Sequence, residues 1–349
     1  MNPRHRRLLI PGLLLALIVI VVVASLVNRV DAATDAPAVV LSDSRIVESS
    51  GLAVSTTHDD LAYTVNDSGH ATEVFAVDLT SGEVVGVTTL VANLRDVEAL
   101  ALRDGTLWIG DLGDNSAGRD DVALVAIDEP GRATRTVEGT RYPVALAGGP
   151  VDVEALLAPP GSDRLHVVTK SLGDASVMTL DEDDLDPGRT TGFEATASGL
   201  PALVTDGGFS PDGGRVALLS YGSLWVVDPA DWRIVGSRSL PTLEQSETVS
   251  FVGDDTVLVG SEGADSPLYR LDLPADLAVE PGVPATVAVT SPATSEAPPT
   301  PAGAADGTGA AVDSRTVVLS GIGIVGTVAL VGWAALRRGR SGGSRRAIR

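Results

Sequence analysis

From Ser49 to Asp272, short apolar runs alternate with polar turns, and two patterns recur in the same order five times. The first is a small apolar strand entered through a polar or acidic residue: Ser50-Gly51-Leu52-Ala53, Glu98-Ala99-Leu100-Ala101, Glu154-Ala155-Leu156-Leu157, Asp206-Gly207-Gly208-Phe209 and Glu247-Thr248-Val249-Ser250. The second is an apolar run closing on Asp, as in Phe75-Ala76-Val77-Asp78, Val125-Ala126-Ile127-Asp128 and Trp225-Val226-Val227-Asp228. Short β-rich runs between Gly-, Asp- and Pro-rich turns, such as Pro211-Asp212-Gly213-Gly214, predict strands and no sustained helix. A strand-built repeat of roughly 40–55 residues is the mark of a propeller blade, which buries its faces only against neighbouring blades. The expectation is an all-β fold, a β-propeller with five readable blades over residues 38–275; the spacing also admits a sixth, degenerate blade. In the first repeat the four strands fall at Gly51–Ser55, Leu61–Val65, Thr72–Asp78 and Glu83–Leu90. The last repeat lacks an outer strand after Leu273, and Val39–Val47 is expected to supply it, closing the ring with the chain's own start.

The pattern changes at both ends. Leu8–Val27 is an uncharged, mostly apolar run preceded by Arg4, Arg6 and Arg7, so residues 1–33 read as a signal peptide or an N-terminal membrane anchor. Residues 276–314 are rich in Pro, Ala and Thr and too poor in large apolar side chains to fold, which predicts a disordered tether. Residues 315–336 read as a transmembrane helix, and residues 337–349, with Arg337, Arg338, Arg340, Arg345, Arg346 and Arg349, as a basic cytoplasmic tail. Arginines outside both apolar runs place both termini in the cytoplasm and the propeller outside it. The chain is expected at the cell membrane, single-pass, or double-pass if the N-terminal segment is retained.

Charge sharpens this picture. The formal net charge is −21, and every Asp and Glu lies between Asp31 and Asp313. Such a surface repels nucleic acid and anionic lipid and attracts cations. The expected partners are an extracytoplasmic protein or a small ligand, with the membrane reached through the C-terminal helix and no nucleic acid. The absence of cysteine excludes a catalytic thiol, a Cys-ligated zinc or an iron–sulfur cluster. A domain of this size buries enough apolar surface without disulfides.

The acidic residue opening each inner strand is the first candidate site. In a propeller these strands line the channel, so Glu98, Glu154, Asp206 and Glu247 are expected at one rim, with Lys170, the chain's single lysine, as counter-ion or ligand contact. Converging carboxylates repel one another and raise their pKa values unless a cation sits among them. They serve either as oxygen ligands for a hard cation such as Ca²⁺ or as hydrogen-bond acceptors that hold the ring together. The second candidate is Gly110-Asp111-Leu112-Gly113-Asp114-Asn115, followed by Arg119 and Glu129, with Asn66-Asp67-Ser68-Gly69 and Asp96 beside it. Asp67, Asp96, Asp111, Asp114 and Asn115 are metal-ligand candidates for Ca²⁺, or turn residues bonding their own backbone.

These motifs resemble a family of bacterial extracytoplasmic β-propellers, WD40- and NHL-like. Its members carry an Asn-Asp-Ser-Gly turn, an Asp-Trp-Glu-Asp box and a Gly-Asp-x-Gly-Asp-Asn turn. The resemblance covers Ser49 to Leu273 and includes Val168-Thr169-Lys170 and Glu247; at the box, Val97 stands for Trp and Ala99 for the second Asp. It implies the fold and no assigned biochemical role. Two functions are therefore weighed: a non-catalytic binding or interaction module, and a cation-dependent hydrolase of glycosides or phosphoesters using the channel carboxylates. A single Lys and an aromatic content of 3% leave the hydrolase little with which to hold a phosphate or a sugar ring.

Overall fold

The computed structural model describes residues 36–67, 72–92, 94–274 and 277. The signal or anchor segment, the tether, the C-terminal apolar run and basic tail, and Ser68 and Gly69 of the first turn lie outside the described residues. Among the described residues, no helix is long and apolar enough to cross a membrane.

The architecture is a five-bladed β-propeller. The first blade is β2 (Ser49–Val54), β3 (Leu61–Asn66), β4 (Glu73–Asp78) and β5 (Val84–Leu90), within a residue or two of the strands expected from the alternation. The second is β6 (Val97–Arg103), β7 (Thr106–Asp111), β8 (Ala123–Asp128) and β10 (Thr140–Ala145). The third is β11 (Val153–Leu157), β12 (Arg164–Thr169), β13 (Ala175–Asp181) and β15 (Glu194–Leu200), and the fourth runs β16 (Val204–Phe209), β17 (Val216–Ser220), β18 (Ser223–Asp228) and β19 (Arg233–Ser239). The fifth blade joins the two ends of the domain. Its inner strands are β20 (Ser246–Gly253), β21 (Thr256–Ser261) and β22 (Ser266–Asp272), and its outermost strand is β1 (Val39–Leu41), antiparallel to β22 with Val39 opposite Leu268. The chain's own start closes the ring, and no sixth blade occurs among the described residues.

Burial follows position in the blade. The inner strand β11 is buried at every residue, whereas the outer strands β15 and β19 are mostly exposed or half-buried. Each apolar core lies between two neighbouring sheets: Trp108, Leu156 and Met178 pack between blades two and three, and Leu41, Ile46, Phe75 and Leu258 between blades five and one. Two short strands the sequence does not announce stitch neighbours together. β9 (Arg135–Val137) leaves blade two to pair in parallel with β5, and β14 (Thr191–Gly192) leaves blade three to pair in parallel with β10.

Each inner strand slips register near its start. Val97 pairs with Asp111 and Ala99 with Gly110, so Glu98 is the extra residue of a bulge, and Glu154 and Glu247 stand at the same slip in blades three and five. A bulge re-aims a side chain that strict alternation would direct elsewhere.

Candidate functional site

The strand order fixes which residues share an end of the ring. Inner strands begin, second strands finish and outer strands finish at that end, so three columns of residues gather there. The first column is the residue just before each inner strand: Glu48, Asp96, Asp152, Leu203 and Gln245. The second is the second residue of each inner strand, Ser50, Glu98, Glu154, Thr205 and Glu247, which is the slipped residue in blades two to five, whereas in blade one the slip falls at Gly51. The third follows the second strands: Asp67, Leu112, Lys170, Tyr221 and Glu262. Backbone bonds tie the columns together, from Asp67 N to Glu48 O (2.9 Å), Lys170 N to Asp152 O (2.9 Å) and Glu262 N to Gln245 O (2.9 Å).

Three of the four rim carboxylates named from the sequence therefore stand together, at 4%, 1% and 2% exposure for Glu98, Glu154 and Glu247. Asp206 lies one residue further along, where Thr205 takes the equivalent place. Fully buried, its Oδ2 accepts from Val249 N (2.6 Å) and its Oδ1 from Gly207 N (2.7 Å), so it joins the inner strands of blades four and five. Burial pushes its carboxyl well above the ordinary range, against these amide donors. Thr205 Oγ1 instead donates to Ser246 O at 2.7 Å.

Lys170 donates from Nζ to Glu154 Oε1 at 2.8 Å and lies 5.5 Å from the centre of the Tyr221 ring. Burial draws its pKa down, but Glu154 and Glu247 outweigh that and the ammonium is held charged. The carboxylates show what one cation among many cannot do. Burial, then the charges of Glu154, Asp67 and Asp96, push Glu98 well above its ordinary value. Burial raises Glu247 to about 7 in spite of Lys170, and burial with Asp67 and Glu48 raises Glu262 to about 7. Asp152 is raised by burial as well. Glu247 Oε1 accepts from Gln245 Nε2 (2.8 Å), while its buried Oε2 has no hydrogen-bond partner among the described residues. A buried carboxylate oxygen without a donor costs free energy on the order of a lost hydrogen bond.

Within this cluster Asp67, Asp96 and Glu98 bring one carboxylate oxygen each to within 4.8 Å of one another. Ser50 Oγ donates to Glu98 Oε2 (3.1 Å) and fixes it across the blade boundary. Oxygen ligands alone, at this separation, suit a hard divalent cation.

The Gly110–Asn115 motif sits behind these residues. Asp111 Oδ1 accepts from Arg95 N (3.2 Å), Asp96 N (3.1 Å) and Arg119 Nη2 (2.8 Å). Asp114 accepts from Gly118 N (2.9 Å) and Arg119 N (2.8 Å), and its own N–H donates to Asp152 Oδ1 (2.8 Å). Asp111 and Asp114 thus spend their oxygens on the loop and on Arg119, and the loop in turn positions Asp96 and Asp152. Asn115 is exposed. Gly113 has a steric reason: a Cβ there falls 2.6 Å from Asp96 Oδ2 and 2.7 Å from Glu98 Cγ, inside the carboxylate cluster. Glu129, which follows the motif in sequence, works at the opposite end, where it accepts from Ser55 Oγ (2.5 Å), Thr57 Oγ1 (2.6 Å) and Tyr63 Oη (3.1 Å) of blade one.

Asp152, Glu262, Glu48 and Tyr221 were not among the residues singled out from sequence. The signal was present, since each falls in a column once the repeats are aligned on their strand starts and ends. A cleft of about 1250 Å³ at the opposite end, between blades three and four and lined by His166, Phe209 and Trp232, shares none of these residues.

No family model matches the chain, and no curated protein matches it. Among solved structures, one described as a crystal structure of a nidogen/laminin complex is similar with a TM-score of 0.40 and 15% identity, over 67% of this chain and 83% of that one.

Proposed function

We propose that the chain is a membrane-tethered, extracytoplasmic binding module that works through the acidic end of its propeller, with a divalent cation such as Ca²⁺ held by Asp67, Asp96 and Glu98. The observation that carries this reading is the approach of those three carboxylates to within 4.8 Å at the end where Glu154, Glu247 and Glu262 also gather around one lysine. Without a cation the cluster relieves repulsion by retaining protons; a divalent ion relieves it directly. The apolar run and basic tail after the tether support a place outside the membrane. No observation favours the hydrolase over the binding module.

The test is thermal unfolding of the full chain in detergent, with Ca²⁺ and with EDTA. A ligand that binds only the folded state at 100 times its dissociation constant adds about 2.7 kcal/mol. A rise in Tm with Ca²⁺ in the wild type, lost in Glu98→Gln, supports the cation site. An unchanged Tm at millimolar Ca²⁺ removes it.

A further inference from the structure

The same end of the ring carries a second feature that does not depend on a metal. Among the described residues the exposed large hydrophobic side chains are Val91, Leu172 and Tyr221, at 61%, 87% and 44% exposure. All three sit on loops at the acidic end: Val91 follows β5, Leu172 lies between β12 and β13, and Tyr221 between β17 and β18. Single exposed hydrophobics are ordinary; two of these, Leu172 and Tyr221, stand on neighbouring loops of blades three and four.

Their arrangement around the mouth is uneven. Blades five, one, two and three contribute Glu247, Glu262, Asp67, Asp96, Asp152 and Glu154. Blade four contributes only neutral residues at the equivalent positions: Leu203, Thr205 and Tyr221. Leu203 N donates to Ser171 O at 2.8 Å, which joins the Leu172 loop to blade four, and Lys170 reaches the Tyr221 ring from the same loop. The mouth is thus an acidic arc with one apolar sector. Elsewhere on the ring, arginines answer the carboxylates, as in Arg132–Asp78, Arg103–Glu182 and Arg233–Asp228. Among the described residues no arginine forms an ion pair with Glu98, Glu154, Glu247, Asp152 or Glu262, and Lys170 pairs with Glu154.

We propose that this end docks a protein segment in which a Lys or Arg lies next to an apolar side chain, the cationic group facing the acidic arc and the apolar one facing Leu172, Leu203 and Tyr221. Charge complementarity selects the occupant. An anionic partner meets repulsion from four blades, and a purely apolar one leaves the arc unanswered, whereas a basic residue beside Leu, Phe or Tyr matches both sectors. The cationic side chain reaches the half-buried outer members Asp152 and Glu262, above the buried Glu154 and Glu247 and beside the three carboxylates proposed to hold the cation.

The test is selection of random peptides displayed on phage against the full chain in detergent, once with EDTA and once with Ca²⁺. The expected enrichment is Lys or Arg adjacent to a large apolar residue. A synthetic peptide of the enriched sequence should lose at least about tenfold in affinity against Leu172→Asp and against Tyr221→Asp, exposed positions where folding is checked by an unchanged Tm. It should keep its affinity for Asp163→Ala, an exposed carboxylate at the opposite end, and weaken as salt rises from about 50 to about 300 mM. No enrichment, or enriched peptides that bind the Leu172→Asp and Tyr221→Asp chains as tightly as the wild type, overturns the proposal. Peptide binding that persists in EDTA while Ca²⁺ leaves Tm unchanged removes the cation reading alone; a Ca²⁺ response without peptide enrichment removes this one alone.

Discussion

Replacing Glu247 with Gln changes how stability depends on pH, and the direction follows from the site. Glu247 is 2% exposed, and burial raises its carboxyl from the ordinary 4.5 to about 7. An acid whose folded pKa is raised binds its proton more tightly in the native state than in the unfolded chain. Its stabilising contribution is fully present below about pH 4.5 and is lost as pH rises through 7. A shift of this size corresponds to about 3 kcal/mol, of which roughly 2 falls between pH 5 and pH 8. His166 acts with the opposite sign: burial lowers it to about 4, so the unfolded chain binds a proton the fold resists and stability falls as pH drops below 6.5. That term is common to both proteins and cancels when variant and wild type are compared. The carboxylates held low, such as Asp121 at about 2 through Arg95 and Arg119, titrate below this window. In EDTA, Glu247→Gln should therefore gain on the wild type by roughly 2 kcal/mol between pH 5 and pH 8, which for a domain of this size is about 4–8 °C in relative Tm. The amide retains an oxygen for Gln245 Nε2, so the local bond survives. Parallel Tm curves for the two proteins across that range would refute the reasoning, because the buried carboxylate would then carry no excess proton.

Three further substitutions test the architecture around the site. Arg119→Met leaves Asp111 buried and without its ion pair, and should cost about 3–5 kcal/mol by chemical denaturation, whereas the solvent-exposed Arg45→Met should cost about 1 or less. Gly82→Ala places a Cβ on the Val40 carbonyl of the closing strand at φ +77°, so it should destabilise by more than about 2 kcal/mol; Gly105→Ala, at φ +76° with open space, should cost only about 1. Gly113→Ala drives a methyl into Asp96 and Glu98 and should abolish the Ca²⁺-dependent rise in Tm while lowering the EDTA Tm by about 1–3 kcal/mol equivalent.

The ring itself was legible in the sequence because each blade repeats the same alternation, and even the closing strand could be named, since a blade missing its outer strand leaves an unpaired edge beside the domain's own start. The short parallel strands β9 and β14 were not legible. Three and two residues carry no period, and their pairing is decided by where a connection happens to cross a neighbouring sheet. At the site, Glu98, Glu154 and Glu247 could be read as one column, but Asp206 was drawn into it by a local likeness, an acidic residue before small ones. Only the slip in the strand ladder shows that Thr205 holds the equivalent place. Asp111 and Asp114 are a different case. Asp and Asn in a Gly-rich turn are equally suited to a cation and to backbone N–H groups, and in this loop the N–H groups and Arg119 take their oxygens.

That assignment changes what the Gly-Asp-x-Gly-Asp-Asn turn is for. A carboxylate can serve an incoming cation only if its position is held by something else, because an unsupported Asp next to other acids swings into solvent to escape repulsion. Asp96 cannot do so freely: its own N–H is fixed to Asp111 Oδ1, and its carbonyl accepts from Gly113 N at 3.2 Å. Asp152 is held at its side chain instead, where Oδ1 accepts from Asp114 N. Arg119 neutralises the charge of Asp111 and donates to Gly113 O (2.8 Å), so the supporting layer carries its own cation, while the layer in front has Lys170 paired to Glu154. The two layers therefore answer opposite demands. The rear one is held by its own hydrogen bonds and Arg119, and the front one gathers buried carboxyl groups that give up their protons more readily once a positive partner arrives.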